Sequence, residues 1–267
     1  HPVVAVSAVS AASRQRAAAL LSDVPVRPVP DVVAAADLAL LAVPDDVLPG
    51  LVAGLAATGA VRPGQLVAHP SGRYGADVLA PALRAGALPL ALHPAMTFTG
   101  TSVDLTRLRG AAFGVTAPDP LRPIAEALVL EMGGEPVWVP ETSRALYHAA
   151  LAAGANHLVT LVAQARDLLA AAGVADPARL LGPLLAAALD NALHQGDAAL
   201  TGPVARGDAG TVAAHLDALA GAYPEAVPAY VALARLTADR ALAAGRLAPT
   251  AAASLLEVLA APGKART

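Results

Sequence analysis

The feature that most constrains this chain is an alternation that stops. Up to about residue 140, short apolar runs alternate with alanine-rich stretches. Val3–Val6, Val24–Val26, Leu38–Val43, Leu66–His69, Leu88–Leu92, Phe113–Val115 and Val137–Val139 read as strands. Ala11–Leu21, Val32–Ala36, Val47–Ala57, Ala76–Ala85 and Leu121–Met132 read as the helices between them. The run Leu38–Val43 is apolar on both faces, which suits a parallel sheet covered by helices on both sides. After Pro140 the strand signal ends. A long helix is expected from about Ser143 to Ala172, and Asp176-Pro177 reads as an N-cap followed by a proline at the first helical position. Gly196 closes that helix, and Asp208, Glu225 and Thr250 mark three further helix starts. The expectation is an α/β domain over residues 1–140, a doubly wound parallel sheet, followed by an all-α domain over 141–267.

Composition removes several function classes. Net charge is −3 with no basic run, which argues against nucleic acid as a partner. The chain has no cysteine, hence no thiolate nucleophile and no cysteine-ligated metal. The histidines lack metal-ligand spacing, so no metal site is expected. No uninterrupted apolar stretch reaches the roughly 18 residues of a membrane span. A soluble cytoplasmic protein, with no membrane association, is the expectation.

Ligands of open α/β sheets bind beyond the carboxyl ends of the strands. A dinucleotide site of this kind opens with a strand, a glycine-rich turn and a helix N-terminus. No G-x-G-x-x-G occurs here, and the alternation begins abruptly at an apolar strand. We therefore expect the first strand and its glycine-rich loop to be missing; a domain that never bound a dinucleotide is the alternative. After Val3–Val6 no acid is available for ribose hydroxyls. Ser7, Ser10 and Arg14 stand there instead, which favours NADP over NAD; a serine-capped helix with solvated arginines explains them too. Val43, Pro44 and Asp45 end the Leu38–Val43 strand and border the expected nicotinamide site, although Asp45 equally suits a helix N-cap. His69-Pro70-Ser71-Gly72 and His93-Pro94 occupy the next two strand ends, where Ser71 and His93 join the cofactor-binding candidates.

Four segments together carry a resemblance. Ala36–Asp46, His69–Gly72, Leu92–Phe98 and Ala199–Asp208 look like a family of bacterial Rossmann-like proteins, closest in composition to actinobacterial members, whose C-terminal half is a helical domain of unknown function. The family is similar in architecture to the 6-phosphogluconate dehydrogenase-like superfamily, which includes ketopantoate reductase, pyrroline-5-carboxylate reductase and deazaflavin-dependent NADP reductases. The resemblance implies an NAD(P)-dependent oxidoreductase acting on a small carbonyl or imine compound, a ketopantoate-like keto acid among them. It also implies a homodimer formed through the helical domain. The alternative is a nucleotide-binding regulatory or scaffolding protein that has lost its chemistry. The sequence departs from the family by lacking the glycine-rich loop and by carrying Val9 where an arginine is common.

Superfamily relatives often place a catalytic lysine on the first long helix of the second domain. The only lysine here is Lys264, in the tail. His148 and Asn156 are the replacement candidates on that helix, and Asn156, Thr160 and Gln164 form an i, i+4, i+8 polar stripe. A hydride acceptor needs such a proton donor and orienting hydrogen bonds. Thr97, Asn191, Thr201 and Arg206 complete the substrate-binding candidates. Asn191 lies mid-helix among apolar residues, and Thr201 and Arg206 lie in an expected loop, Leu200–Asp208, suited to an anion. Each has a structural alternative: helix–helix hydrogen bonds, an interface, or a paired surface charge.

Overall fold

The computed structural model describes residues 1–260; Lys264 lies outside the described residues. The chain forms two compact units, one spanning His1–Asn156 and the other beginning at His157.

In the first unit, α1 (Ala11–Leu20) and α2 (Val29–Ala35) precede β1 (Leu38–Leu40), α3 (Leu48–Ala57) and β2 (Leu66–His69). Then come α4 (Ala80–Arg84), β3 (Leu88–Pro94), α5 (Val103–Leu108), β4 (Ala112–Thr116), α6 (Arg122–Glu131), β5 (Glu135–Trp138) and α7 (Arg144–Leu151). The strands form one sheet in the order β1-β2-β3-β4-β5. β1, β2 and β3 are parallel, β4 runs antiparallel to β3, and β5 is parallel to β4. The sheet is thus mostly parallel, and β4 reverses the direction expected of it. The chain returns through a turn gathered by Asp104, whose buried carboxylate accepts from the amides of Thr99 and Gly100 and from the Thr99 hydroxyl. Those donors hold Asp104 below the usual carboxylate range, the Thr99 amide most of all.

The two faces of the sheet carry separate cores. Val67 packs with Val33, Leu48, Val52, Leu55 and Leu79, while its neighbour Ala68 packs with Leu90, Phe113, Val115, Ala125 and Val129. Adjacent residues of one strand serve opposite faces, as the pleat requires. A strand apolar on both faces is therefore buried on both, and helices flank the sheet as expected.

The amino-terminal expectation fails. Val3–Val6 and Val24–Val26 lie outside the sheet and meet only at an isolated parallel bridge between Val6 and Val26. Val6 donates to Pro25 O at 3.0 Å and Arg27 donates to Val6 O at 2.9 Å. The ladder cannot extend backward, because Pro25 has no N–H to offer Val4. Beyond Pro28 the chain turns into α2, and Val3 and Val4 stay exposed.

The second unit holds α8 (His157–Ala171), α9 (Pro177–Gln195), α10 (Gly202–Arg206), α11 (Ala209–Ala222), α12 (Val227–Ala243) and α13 (Pro249–Ala260). Its core is Val212, Leu216, Ala238, Ala241, Leu255 and Leu259. Asp176 caps α9 by accepting from the Arg179 amide at 3.1 Å, and Asp208 caps α11 by accepting from Thr211 at 3.0 Å. The expected loop Leu200–Asp208 instead encloses the short helix α10, ended by Gly207 in the left-handed conformation.

The expected long helix is broken in kind, not in path. Ala152–Asn156 form a π-helical turn between α7 and α8. That turn changes the angle per residue, so the expected alignment of His148 with Asn156 does not survive it. The run Glu141–Ala171 also departs from expectation in hydropathy. It is 31 residues long with a mean hydropathy of 1.2 in its best window, enough by length and composition to span a bilayer. Its first half carries Arg144, buried against the sheet, and is a helix packed on protein.

Candidate functional site

Two strand ends with the same dipeptide, His-Pro, build different structures. At the end of β2, His69 is fully buried. Its Nδ1 accepts from the Ser71 amide at 3.2 Å, so the ring proton resides on Nε2, which donates to Gly75 O at 2.9 Å. The Ser71 hydroxyl oxygen accepts from the Tyr74 amide at 3.2 Å, and Glu141 accepts from the Ala76 amide at 2.7 Å. Residues 70–76 are thereby tied on both sides. A Cβ at Gly75 would fall 2.1 Å from the Glu141 carboxylate, so only glycine allows this closure. Burial lowers His69 from 6.5 to about 4; the Arg144 charge adds to it, and the Gly75 bond and Asp45 oppose it. His69 is a neutral clamp.

At the end of β3, His93 is half-buried and faces side chains instead of its own loop. Its Nδ1 shares a 2.8 Å hydrogen bond with the Tyr147 hydroxyl. The His93 ring stands edge-on to Tyr147, centroids 5.6 Å apart, and to His148, 5.9 Å apart. Gly72 borders both imidazoles: a Cβ there would lie 2.7 Å from His148 Cδ2 and 2.9 Å from His93 Nε2. Burial again lowers His93 to about 4, with the His148 and Arg144 charges acting in the same direction.

Arg144 supports this group from beneath. It is 1% exposed; its Nε donates to Thr116 Oγ1 at 2.8 Å and its Nη2 to Ala91 O and Gly114 O, each at 3.1 Å. Nη1 has no hydrogen-bond partner, and no carboxylate among the described residues forms an ion pair with this guanidinium. Burial lowers its pKa, yet arginine stays protonated in proteins. Tyr147, one turn further along α7, lies over Gly114, where a Cβ would fall 2.4 Å from the phenol oxygen. Burial raises the phenol pKa, with the Arg144 charge opposing.

The structure brings His93, His148 and the Ser71-Gly72 turn together. The neighbouring Val43-Pro44-Asp45 turn ends the chain's path out of β1, and Asp45 acts electrostatically on both His69 and His93. Asp45 does not cap α3, whose start has no side-chain cap. Ser10 does cap α1, accepting from the Ser13 amide at 3.0 Å, and Arg14 is exposed with its Nη1 on Val9 O. Ser7 is half-buried in the same segment, and Thr97 is exposed beyond β3. The remaining candidates do not join the cluster. Asn156 and Asn191 are exposed, so the desolvation cost expected of a buried amide applies to neither. Asn191 accepts weakly from Gln195 Nε2, at 3.4 Å. Thr201 borders a cavity of about 370 Å³ within the helical unit, and Arg206 is exposed on α10. Sequence reasoning missed Arg144 and Tyr147. Their signal was the spacing Arg144, Tyr147, His148, which places all three on one helical face.

Fold and site together define a Rossmann-like protein with a helical C-terminal half. Residues 1–94 match the Rossmann-like domain family, and residues 111–237 match the domain of unknown function DUF2520. The chain joins a Rossmann-like domain to a DUF2520 domain, as its four motifs implied. No curated protein matches it in sequence. Among solved structures it is similar to a Bacteroides fragilis protein assigned as an NADP oxidoreductase: TM-score 0.70 at 20% identity, covering 89% of this chain and 88% of that one. It is also similar to a reductive aminase from Aspergillus terreus solved with NADPH and ethyl levulinate: TM-score 0.62 at 19% identity, covering 95% and 89%. A third likeness is to protein TM1727 of Thermotoga maritima: TM-score 0.59 at 22% identity, covering 76% and 78%. At these identities the likeness is one of fold.

Proposed function

We propose that this chain is an NADP-dependent oxidoreductase that reduces a small carbonyl or imine compound at the carboxyl ends of β1–β3. The observation that carries the reading is the meeting of His93, His148 and Gly72. Two imidazoles converge on a glycine where an α/β sheet of this kind binds its ligands. The solved NADP-linked proteins of the same fold support the choice of cofactor, with NAD the alternative.

The residues fit the nicotinamide end of such a cofactor. The turns at Val43–Asp45, Ser71–Gly72 and His93 offer backbone groups and a serine beside a gap that a Cβ at Gly72 would fill. Ser7, Ser10 and Arg14 precede or open α1, and the exposed Arg14 guanidinium suits a 2′-phosphate. No glycine-rich loop for the pyrophosphate occurs in this sequence. When bound, the reduced nicotinamide supplies hydride. The chain's own contribution is a proton, for which His148 beside Gly72 is the donor. Thr97, beyond β3, orients the substrate. Asn156, Asn191, Thr201 and Arg206 are secondary candidates with no observed tie to this group.

A homodimer accompanies this reading. Leu180, Leu184, Leu189 and Leu193 of α9 are all more than half exposed, more apolar surface than one helix leaves in water unpaired. Calorimetry tests the cofactor assignment. NADPH should bind the protein carrying its full amino-terminal strand and loop, and bind more tightly than NADH. Equal affinity for both would remove the roles of Ser7, Ser10 and Arg14, and binding of neither would remove the oxidoreductase.

A further inference from the structure

We infer that His93 presents a fixed Nε2–H donor to the substrate's oxygen, that Tyr147 is the positioning residue that fixes it, and that the substrate is therefore a neutral carbonyl compound and not an iminium ion. The inference rests on the reductase reading and narrows its substrate class.

Hydrogen-bond accounting sets the tautomer. The Tyr147 hydroxyl has one proton to give. The Gly114 backbone amide already acts on the phenol oxygen as a donor. Among the described residues His93 Nδ1, at 2.8 Å, is the side-chain acceptor bonded to that hydroxyl. Donation from Tyr147 to Nδ1 satisfies both groups, and it leaves the ring proton on Nε2. That nitrogen is the ring atom nearest the Gly72 gap, 2.9 Å from the position of a Cβ there. The neighbouring β2 end shows the alternative use of the same side chain: His69 spends its Nε2–H on Gly75 O and has none left for a ligand.

Charge sets the substrate class. Arg144 is buried, has no carboxylate partner among the described residues and leaves Nη1 unpaired. It stands close enough to act on both His93 and Tyr147. A site with a neutral N–H donor above an uncompensated guanidinium favours negative charge growing on an acceptor atom. A carbonyl oxygen develops that charge: as its carbon accepts hydride, the C=O electron pair moves onto oxygen. The Nε2–H of His93 bonds to this oxygen, and a proton from His148 completes the alcohol. An iminium nitrogen has no lone pair for the Nε2–H and carries a positive charge that Arg144 repels.

The ring-nitrogen NMR spectrum of cofactor-free protein tests the first half. Wild type should show His93 as a single Nε2–H tautomer, and Tyr147→Phe should show a mixture of both. A mixed or Nδ1–H form in wild type overturns the inference whatever the protein turns over. Cyclopentanone and 1-pyrroline, a ketone and an imine of one ring size, test the second half with NADPH. The ketone should be reduced faster. His93→Ala should lose about 10²–10³-fold in kcat on it, Tyr147→Phe should lose less, and His93→Gln, which keeps an N–H donor, should recover part. Faster reduction of 1-pyrroline overturns the substrate class. If neither compound is reduced while cofactor binds, the reductase reading fails; then the His93 Nε2 resonance must still shift with added cyclopentanone and not with 1-pyrroline, or the donor site fails as well.

Discussion

The ends of β2 and β3 carry the same dipeptide and do opposite things. His69 turns inward, satisfies both ring nitrogens with backbone groups two and six residues away, and holds the turn that contains Ser71 and Gly72. His93 finds its partner 54 residues away, on α7, and keeps its other nitrogen for the gap. A histidine closed by its own loop is structural, whereas one closed by a distant helix can serve a ligand. The two downstream loops make the difference: Gly75 lets the β2 loop fold back beneath Glu141, and the loop after His93 has no such closure onto its ring.

The widest separation between the two ends should come from single substitutions. His148→Ala should lower turnover by about 10²–10⁴-fold, the usual worth of a positioned general acid, with little change in melting temperature. Steady-state kinetics beside thermal unfolding would read both. Unchanged turnover, or loss of fold in proportion to loss of rate, would place the donor elsewhere.

His69→Ala should show the reverse pattern. It strips a buried partner from the Ser71 amide and from Gly75 O, at about 1–3 kcal/mol for each group left unsatisfied. Denaturant unfolding should therefore report a clear loss of stability. Cofactor affinity should fall only as far as the Ser71-Gly72 turn loosens. A stable protein with abolished turnover would make His69 the chemical residue and dissolve the contrast.

A smaller effect concerns pH. Both imidazoles titrate near 4 in the folded chain against 6.5 when exposed. The unfolded chain therefore binds the extra protons first. The stability these neutral rings contribute is complete above about pH 6.5 and is lost progressively as pH falls toward 4. His69→Gln should flatten that slope without removing it, because His93 remains. A stability profile that is level between those pH values would contradict the neutral form of both rings.

Much of this was legible from single residues and their neighbours. Leu66–His69 is a strand in sequence and in structure because a short, doubly apolar run bounded by prolines has few alternatives. Asp176 and Asp208 cap helices as their positions demanded. Val3–Val6 looked equally good, but pairing depends on a neighbour's donors, and Pro25 lacks one. The stripe of Asn156, Thr160 and Gln164 assumed one helical period, which the π turn at Ala152–Asn156 interrupts. Asn191 looked buried because its neighbours are apolar, yet α9 turns it to solvent. Arg144 and Tyr147 share a helical face with His148, but spacing alone does not say what that face meets. Their approach to β3 and β4 depends on Gly114 giving way to a ring from a distant helix, and nothing local announces it.

The most direct measurement is the consumption of NADPH by the protein with its cofactor-binding strand and loop in place, followed against a panel of small ketones, keto acids and cyclic imines. Carbonyl-dependent oxidation by wild type, lost on His148→Ala and weakened on His93→Ala while NADPH still binds, is expected. NADPH bound tightly and oxidised by no member of the panel, in wild type and variants alike, would contradict it and leave a nucleotide-binding protein without chemistry.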